Sequence, residues 1–273
     1  MTPLNLQAVT EYVEEKIGEF HLSRLEKVQN IKLSDILLDK NPYLFKAKNI
    51  TSPDEVIRST LDALISSSEE TKFGDWMERL AIFINDSVFQ GRKAAVEGMD
   101  LDFDRDGKRF LISIKSGPNW GNKGQQQKLG EYFSYVKGRL STSGALVNAV
   151  FVNGCCYGRS RQQSEYKVRY GYYKVCGQRF WELISAEPDL YTKLIIPLAH
   201  EAEAKNEEFK QHYDALINRL TFEFMQNFMT LDGFIDWNKW LVFNSSFPEK
   251  QASVKRAATK RGRGGHSQSS LKM

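Results

Sequence analysis

The sequence predicts an α/β protein with a mixed β-sheet flanked by helices, and with further helices at both ends of the chain. Residues 73–90 carry apolar side chains at helical spacing, and residues 99–115 form two alternating runs around a turn. Residues 124–140 have a second helical pattern, and residues 145–153 are nearly all apolar. Alternation indicates half-buried strands, and a short apolar run indicates a strand buried on both faces. The order helix, two strands, helix, strand is expected of an α/β core.

The N-terminal part of the chain is predicted to be helical. Apolar residues at helical spacing predict a helix over residues 5–29. Ser52 as a cap and Pro53 at the first helical position predict another helix, which we expect to end near Ile65. Residues 66–72 are polar and are expected to separate this helix from the one that follows.

We expect four regions along the chain. They are an N-terminal helical region at residues 1–72, an α/β core at 73–200, a C-terminal helical region at 201–248 and a basic tail at 249–273. A long helix is expected within the third region, because apolar residues recur at helical spacing over residues 199–230. The tail is rich in Lys, Arg, Gly and Ser without periodicity, which is typical of disorder.

The composition is that of an ordinary globular protein, with 273 residues and 41% hydrophobic residues. The net charge is +4, but residues 250–273 hold seven Lys or Arg and no acid, so the rest of the chain carries about −3. A nucleic-acid surface on the body must therefore be a local patch. No stretch is apolar enough for a membrane span and no signal sequence is evident, so we expect a cytoplasmic protein. The three cysteines are interpreted as buried thiols, because no C-x-x-C pair suggests zinc.

The hairpin carries the residues that indicate chemistry. Asp100, Asp102 and Asp104 alternate with Met99, Leu101 and Phe103, so a strand would place the three carboxylates on one face. An Asp-Gly pair favours a tight turn, and the second run ends at Lys115. Carboxylate oxygens are the ligands that Mg²⁺ prefers, and a nearby lysine can hold a phosphate or orient a water. This is the outline of a metal-and-phosphate site; the alternative is a solvated hairpin with its charges outward.

Three longer runs carry a family resemblance. They are Ile114–Asn122 (Ile-Lys-Ser-Gly-Pro-Asn-Trp-Gly-Asn), Asn153–Gly158 (Asn-Gly-Cys-Cys-Tyr-Gly) and Cys176–Glu182 (Cys-Gly-Gln-Arg-Phe-Trp-Glu). With the preceding Asp and hairpin, they resemble the PD-(D/E)XK nuclease superfamily and, more narrowly, type II restriction endonucleases of the PmeII-like group. The similarity covers roughly residues 73–198. It implies a restriction-endonuclease-like core, Mg²⁺ as cofactor and phosphodiester hydrolysis.

One position departs from the superfamily pattern. Ser113 stands two residues before Lys115, where the superfamily usually has Asp or Glu. Related enzymes with Ser-x-Lys supply the acid from a neighbouring helix, and the two candidates here are Glu78 before the hairpin and Glu131 after it.

The resemblance also implies roles for the other residues. Asp100 is the preferred metal ligand, with Asp102 as the alternative and Glu131 as a candidate second ligand. Lys115 would orient the attacking water or hold the phosphate, and Ser113 would line the site.

Several residues are expected to contact DNA, because Asn and Gln can read adenine edges while Lys and Arg bind phosphates. They are Asn119, Trp120, Asn122, Lys123, Gln126, Arg159 and Arg161. A solvated polar surface would have a similar composition and is the alternative.

The sequence as a whole favours site-specific cleavage of double-stranded DNA. Palindromic sites call for two-fold symmetric readers, so a homodimer is expected. A DNA methyltransferase acting on the same site is a possible partner implied by the family. The alternatives are another nuclease on the same core, such as a repair or structure-selective enzyme, and a non-catalytic DNA-binding protein with a degraded site.

Overall fold

The computed structural model describes residues 1–142, 148–159, 165–167 and 171–246, and for 165–167 it describes the backbone alone. The helices within these residues are α1 (Leu6–Gln29), α2 (Leu33–Leu38), α3 (Pro42–Ala47), α4 (Pro53–Phe89), α5 (Lys123–Thr142), α6 (Gln178–Ser185), α7 (Leu190–Lys193), α8 (Ile195–Leu198), α9 (Ala202–Phe228) and α10 (Trp237–Ser245). The strands are β1 (Arg92–Lys93), β2 (Leu101–Arg105), β3 (Lys108–Lys115), β4 (Ala149–Cys155), β5 (Glu165–Lys167) and β6 (Tyr172–Cys176). Arg161 and the basic tail lie outside the described residues.

The strands form one mixed sheet in the order β1-β2-β3-β4-β6-β5. The β1/β2, β2/β3 and β5/β6 pairs are antiparallel, whereas β3/β4 and β4/β6 are parallel. β3 therefore lies inside the sheet, with its last residue, Lys115, opposite Cys155 of β4. The α/β architecture with a mixed sheet and flanking helices confirms the predicted fold class.

The turn between β2 and β3 has the predicted chemistry. Asp106 and Gly107 have φ values of 52° and 71°, the left-handed conformation that a tight two-residue hairpin requires. The alternation predicted for residues 99–104 does not extend to Met99. The strand begins at Leu101, and Met99 packs in a different core from Leu101 and Phe103.

Two hydrophobic cores cover the two faces of the sheet. Successive residues of β3 point to opposite faces and therefore belong to different cores. The sheet core lies under α1, α4 and α6 and includes Leu101, Ile112, Ile114, Trp76 and Phe180. The α5 core lies on the other face and includes Met99, Leu111, Leu129, Phe133 and Phe151. Glu78 and Glu131 thus come from helices that pack against different faces.

A helix longer than expected joins the sheet to a third core. The predicted break at residues 66–72 is wrong, because α4 continues for 37 residues and crosses the predicted region boundary at 72/73. Its first half packs with α2, α3, α9 and α10 in the third core, here called the helical core, which includes Leu37, Phe45, Ile57, Leu220 and Trp240. Its second half packs in the sheet core. The polar stretch lies between the two cores, so it needs no apolar stripe. Within it, Glu69 pairs with Arg24 of α1 at 2.6 Å.

The remaining helical predictions are confirmed. α1 matches the helix predicted at residues 5–29, and α9 falls within the long helix expected at 199–230. Cys155, Cys156 and Cys176 are all buried, as interpreted from the sequence. Among the described helices, none combines the length and the apolar character that a membrane crossing requires.

Candidate active site

Asp100 lies immediately before β2 and is held by the neighbouring strands. Its N–H donates to the carbonyl of Ile112 at 2.8 Å. Its carboxylate oxygen Oδ2 accepts hydrogen bonds from the backbone N–H of Ile114 at 2.6 Å and from the hydroxyl of Ser113 at 3.3 Å. The ammonium of Lys115 lies 4.0 Å from the same oxygen. The structure therefore brings Asp100 and Lys115 together at one end of the sheet, as the hairpin pattern predicts.

The Lys115 side chain is flanked by the loop that follows β3. Its Nζ lies 5.4 Å from the ring centroid of Trp120, within the range of a cation–π contact. The Trp120 indole N–H donates to Oδ1 of Asn153 at 3.0 Å, which fixes the ring against β4. About a third of the Lys115 side chain is exposed, so the ammonium remains accessible from solvent.

Glu78 reaches the same site from α4. Burial and the charge of Asp100 raise the pKa of Glu78, whereas Lys93 and, more weakly, Lys115 lower it. The Lys93 ammonium lies 3.5 Å from Glu78 Oε1. Glu78 is therefore near enough to Asp100 and Lys115 for their charges to interact with its own.

Glu131 is placed elsewhere. It is exposed on α5, and its hydrogen bond in the described part of the chain is with Gln127, one turn earlier on the same helix, at 3.1 Å. The buried residues of α5 pack in the α5 core, on the opposite face of the sheet from α4. Of the two candidate acids, the structure brings Glu78 and not Glu131 to Asp100.

Asp102 is engaged by arginine. Both of its oxygens accept hydrogen bonds from Arg109, from Nε at 2.8 Å and from Nη2 at 2.6 Å, and Arg92 lies 3.9 Å away. Its side chain is only 10% exposed. Asp104 is exposed near the turn. A bidentate pair uses the oxygens that a metal would need, so this geometry argues against Asp102 as a ligand.

Ser113 occupies the position where an acid was expected. It is 1% exposed, and its hydroxyl faces Asp100. Its carbonyl accepts a hydrogen bond from Asn153 Nδ2 at 3.5 Å. Ser113 thus orients Asp100 and adds no negative charge.

The residues expected to bind DNA have mixed surroundings. Asn119 and Arg159 are exposed on the loops beyond β3 and β4, and Lys123 is exposed as the first residue of α5. Asn122 begins α5 as a cap, because its Oδ1 accepts from the Gln125 N–H at 3.1 Å and its own N–H donates to Gln125 Oε1 at 2.9 Å.

Gln126 and Trp120 also have partners in the described structure. The Gln126 amide lies 3.4 Å from the carbonyl of Gly121, and Trp120 contacts Lys115 and Asn153 as described above. Arg161 lies outside the described residues.

Two residues of the site were missed by the sequence patterns. Lys93 belongs to a two-residue strand, too short to give a periodic signal. Asn153 begins one of the family runs, and the signal that could have identified it is its place as the polar residue that ends the apolar run at residues 145–153.

The donor set fits a hard divalent cation. Within the described residues, no three His, Cys, Asp or Glu side chains gather as a ready metal cluster. Asp100 and Glu78 nevertheless supply two carboxylates, and the mutual repulsion that helps raise the pKa of Glu78 would be relieved by a cation between them. Mg²⁺ commonly uses only one or two protein carboxylates and keeps several waters.

The mixed sheet with Asp100 before its second strand and Lys115 at the end of its third defines a restriction-endonuclease-like protein. The comparison with known families makes this specific. The sequence model of the family described as type II restriction endonuclease EcoO109I matches residues 7–206, about three quarters of the chain, and the chain belongs to this family. It is therefore a site-specific deoxyribonuclease, of a family that generally depends on a divalent metal. The narrower resemblance to the PmeII-like group is not confirmed, and no curated protein matches the chain.

Proposed function

We propose that this chain cleaves double-stranded DNA at specific sites by Mg²⁺-assisted phosphodiester hydrolysis, at a site formed by Asp100, Glu78 and Lys115. The observation that carries the proposal is the convergence of these three side chains from three different elements. Asp100 precedes β2, Lys115 ends β3, and Glu78 projects from α4.

Asp100 and Glu78 are the residues that would hold the metal. The contacts described for the Asp100 carboxylate all involve Oδ2, so Oδ1 is the oxygen left for a cation. When bound, Mg²⁺ would activate a water and neutralise charge on a phosphoryl oxygen. The Ser113 hydroxyl and the Ile114 N–H orient the Asp100 carboxylate, because both donate hydrogen bonds to its Oδ2.

Lys115 supplies the positive charge beside Asp100. Its ammonium can donate to the attacking water or to a non-bridging phosphate oxygen, and either contact would place the reacting groups for in-line attack. Trp120 restricts the lysine stem, because Asn153 holds the indole ring. Hydrolysis would leave a 5′-phosphate, as the superfamily resemblance implies.

The DNA is expected to lie across the end of the sheet where β3 and β4 terminate, beside Lys115. The exposed side chains of Asn119, Lys123 and Arg159 follow β3 and β4 at this end. A two-fold DNA site favours a homodimer, and a methyltransferase that protects the same site is the expected companion activity. Both activities would act on DNA in the cytoplasm.

The test is digestion of unmethylated phage and plasmid DNA by purified wild type, Lys115→Ala and Asp100→Ala, each with Mg²⁺ or EDTA. We expect discrete fragments from the wild type with Mg²⁺ alone, and none from either variant. Glu131→Gln is the matched control and should cut normally.

The other outcomes distinguish the alternatives. A smear would indicate a nonspecific or structure-selective nuclease. DNA binding without cleavage by the wild type would indicate a degraded site. Equal cleavage by all proteins would place the active site elsewhere.

A further inference from the structure

Lys93 lies on the Glu78 side of the site, on the edge strand β1. Its backbone has a fixed place, because Lys93 is opposite Leu101 in the sheet and the next residue, Ala94, donates its N–H to the carbonyl of Asp100 at 3.2 Å. Its side chain is 72% exposed. An exposed ammonium is thereby anchored one strand away from the candidate metal ligands.

This ammonium reaches back to the Glu78 carboxylate, at 3.5 Å from Oε1. Glu78 is a half-buried anion beside a second anion, Asp100. Lys93 opposes this unfavourable charge more strongly than Lys115 does. In the part of the chain that the structure describes, Lys93 is thus the principal counter-charge of Glu78.

The pair is poorly suited to a purely structural role. An ion pair whose lysine is 72% exposed stabilises a fold little, since the ammonium is well hydrated and the long side chain must be held in one conformation. A divalent cation on the same carboxylate would repel the ammonium and free it. The long lysine stem can then turn toward the DNA that the same cation contacts.

We propose that Lys93 is a positioning residue with two partners: it neutralises Glu78 in the cation-free enzyme, and it binds a DNA phosphate oxygen once a divalent cation occupies Asp100 and Glu78. This inference rests on the proposed function. The pairing with Glu78 reduces the electrostatic repulsion between the two carboxylates and DNA before the metal is bound. The contact between Lys93 and DNA forms only when the metal has taken its place.

Arg92 provides a matched control on the same strand. It is 79% exposed and carries the same charge, but it lies 3.9 Å from Asp102 and not beside Glu78. Asp102 is already paired with Arg109. Arg92→Met and Lys93→Met therefore remove one positive charge at adjacent positions, and only the second removes it from the metal site.

The first measurement is titration calorimetry of Mn²⁺ into DNA-free wild type, Lys93→Met, Arg92→Met and Glu78→Gln. Lys93→Met should bind Mn²⁺ about two- to fivefold more tightly, because no ammonium competes for Glu78. Arg92→Met should match the wild type, and Glu78→Gln should bind much more weakly. Unchanged binding in Lys93→Met beside weakened binding in Glu78→Gln overturns the Lys93 proposal alone. Unchanged binding in both variants overturns the metal site of the proposed function.

The second measurement is the salt dependence of DNA affinity, made in a Lys115→Met background so that no strand is cut. With Ca²⁺, Lys93→Met should reduce the slope of log K against log salt by about one phosphate contact. With EDTA the reduction should be much smaller, because Glu78 then holds the lysine. The slope change caused by Arg92→Met, if there is one, should be equal in Ca²⁺ and in EDTA, because Arg92 does not pair with Glu78. Equal slope changes for Lys93→Met in Ca²⁺ and EDTA, or none in either, would contradict the change of partner.

Discussion

Ser113 donates its hydroxyl hydrogen bond to Oδ2 of Asp100 at 3.3 Å, and the Ser113 side chain is almost completely buried. The superfamily pattern usually carries an acid at this position. An acid here would place a second carboxylate against Asp100 inside the protein. The hydroxyl supports Asp100 without adding charge. The nearby carboxylate whose charge interacts with that of Asp100 is Glu78 on α4, and it is the second acid of the proposed site.

Ser113→Ala is expected to have a small effect. It removes one neutral donor to Asp100, whose stronger hydrogen bond from the Ile114 N–H at 2.6 Å remains. We expect the free energy of unfolding to fall by about 1 kcal/mol and the cleavage rate to fall by less than about tenfold. Thermal unfolding and plasmid cleavage rates measure the two effects. A loss as complete as that of Lys115→Ala would show that Ser113 acts on the reacting groups directly.

Glu78→Gln and Glu131→Gln should differ sharply. Glu78 interacts with Asp100 and Lys115, so its amide variant should lose metal affinity and at least about 100-fold in cleavage rate. Glu131 is exposed and bonded to Gln127, so its amide variant should stay within about twofold of the wild type. Cleavage rates over a range of Mg²⁺ concentrations test the pair. The reverse ranking would return the relocated acid to α5.

Glu78→Gln should also stabilise the metal-free protein, in a pH-dependent way. The folded pKa of Glu78 is raised by burial and by Asp100, so the fold disfavours the ionised form. Below the unfolded pKa of Glu78 the carboxyl group is protonated in both states, and the wild type has its full free energy of unfolding. As the pH rises through the folded pKa, the free energy of unfolding falls, because Glu78 ionises more readily in the unfolded chain.

The melting temperature measures this difference. Glu78→Gln should match the wild type near pH 4 and should exceed it by on the order of 2 °C at pH 8 in EDTA. Mg²⁺ should narrow the gap by stabilising the wild type alone. An equal gap at both pH values would mean that ionisation of Glu78 is not its cause.

The sequence predicted those parts of the fold that local rules govern. The Asp106-Gly107 hairpin, the strand ending in Lys115 and the helix α1 depend on turn chemistry and periodicity, and each is present. The continuity of α4 was not predictable from periodicity. Its polar middle lies between two cores, so the pattern disappears although the helix continues.

The part of the site that depends on local strand pairing was predictable, and the part that depends on helix packing was not. The approach of Asp100 to Lys115 follows from strand pairing. The choice between Glu78 and Glu131 depends on which face of the sheet each helix covers, and no local pattern records that. The bidentate pairing of Asp102 with Arg109, which argues against Asp102 as a ligand, depends on cross-strand register and was not predictable from the sequence.

Asp102→Asn should destabilise the protein without changing its metal requirement. The substitution removes a charge-assisted bidentate pair from a nearly buried position. We expect a loss of about 1–3 kcal/mol in the free energy of unfolding and an unchanged Mg²⁺ concentration for half-maximal cleavage. Denaturant unfolding and a Mg²⁺ titration of cleavage measure the two quantities. A large rise in the Mg²⁺ requirement would restore Asp102 as a ligand.

Gly177→Ala should damage the packing of the loop that follows β3. Gly177 has φ 55°, and a Cβ there would lie 2.3 Å from the backbone oxygen of Gly158. Gly158 has φ 100° and packs against Pro118, in the loop that follows Lys115. A clash with backbone cannot be relieved by a side-chain rotation, so the strain should pass through Gly158 to Pro118. We expect a loss of at least about 2 kcal/mol in stability and slower cleavage.

Gly117→Ala is the control for Gly177→Ala, because its Cβ would also lie 2.3 Å from another atom, Cζ of Tyr157. The Tyr157 side chain is exposed and can turn away, so this variant should lose less than about 1 kcal/mol. The two variants add the same methyl group to the same assembly of loops, and they differ in whether the obstacle is backbone or a movable ring. Thermal unfolding and cleavage rates compare them. Equal losses, or a greater loss for Gly117→Ala, would show that the Pro118–Gly158–Gly177 contacts do not hold the loop in place.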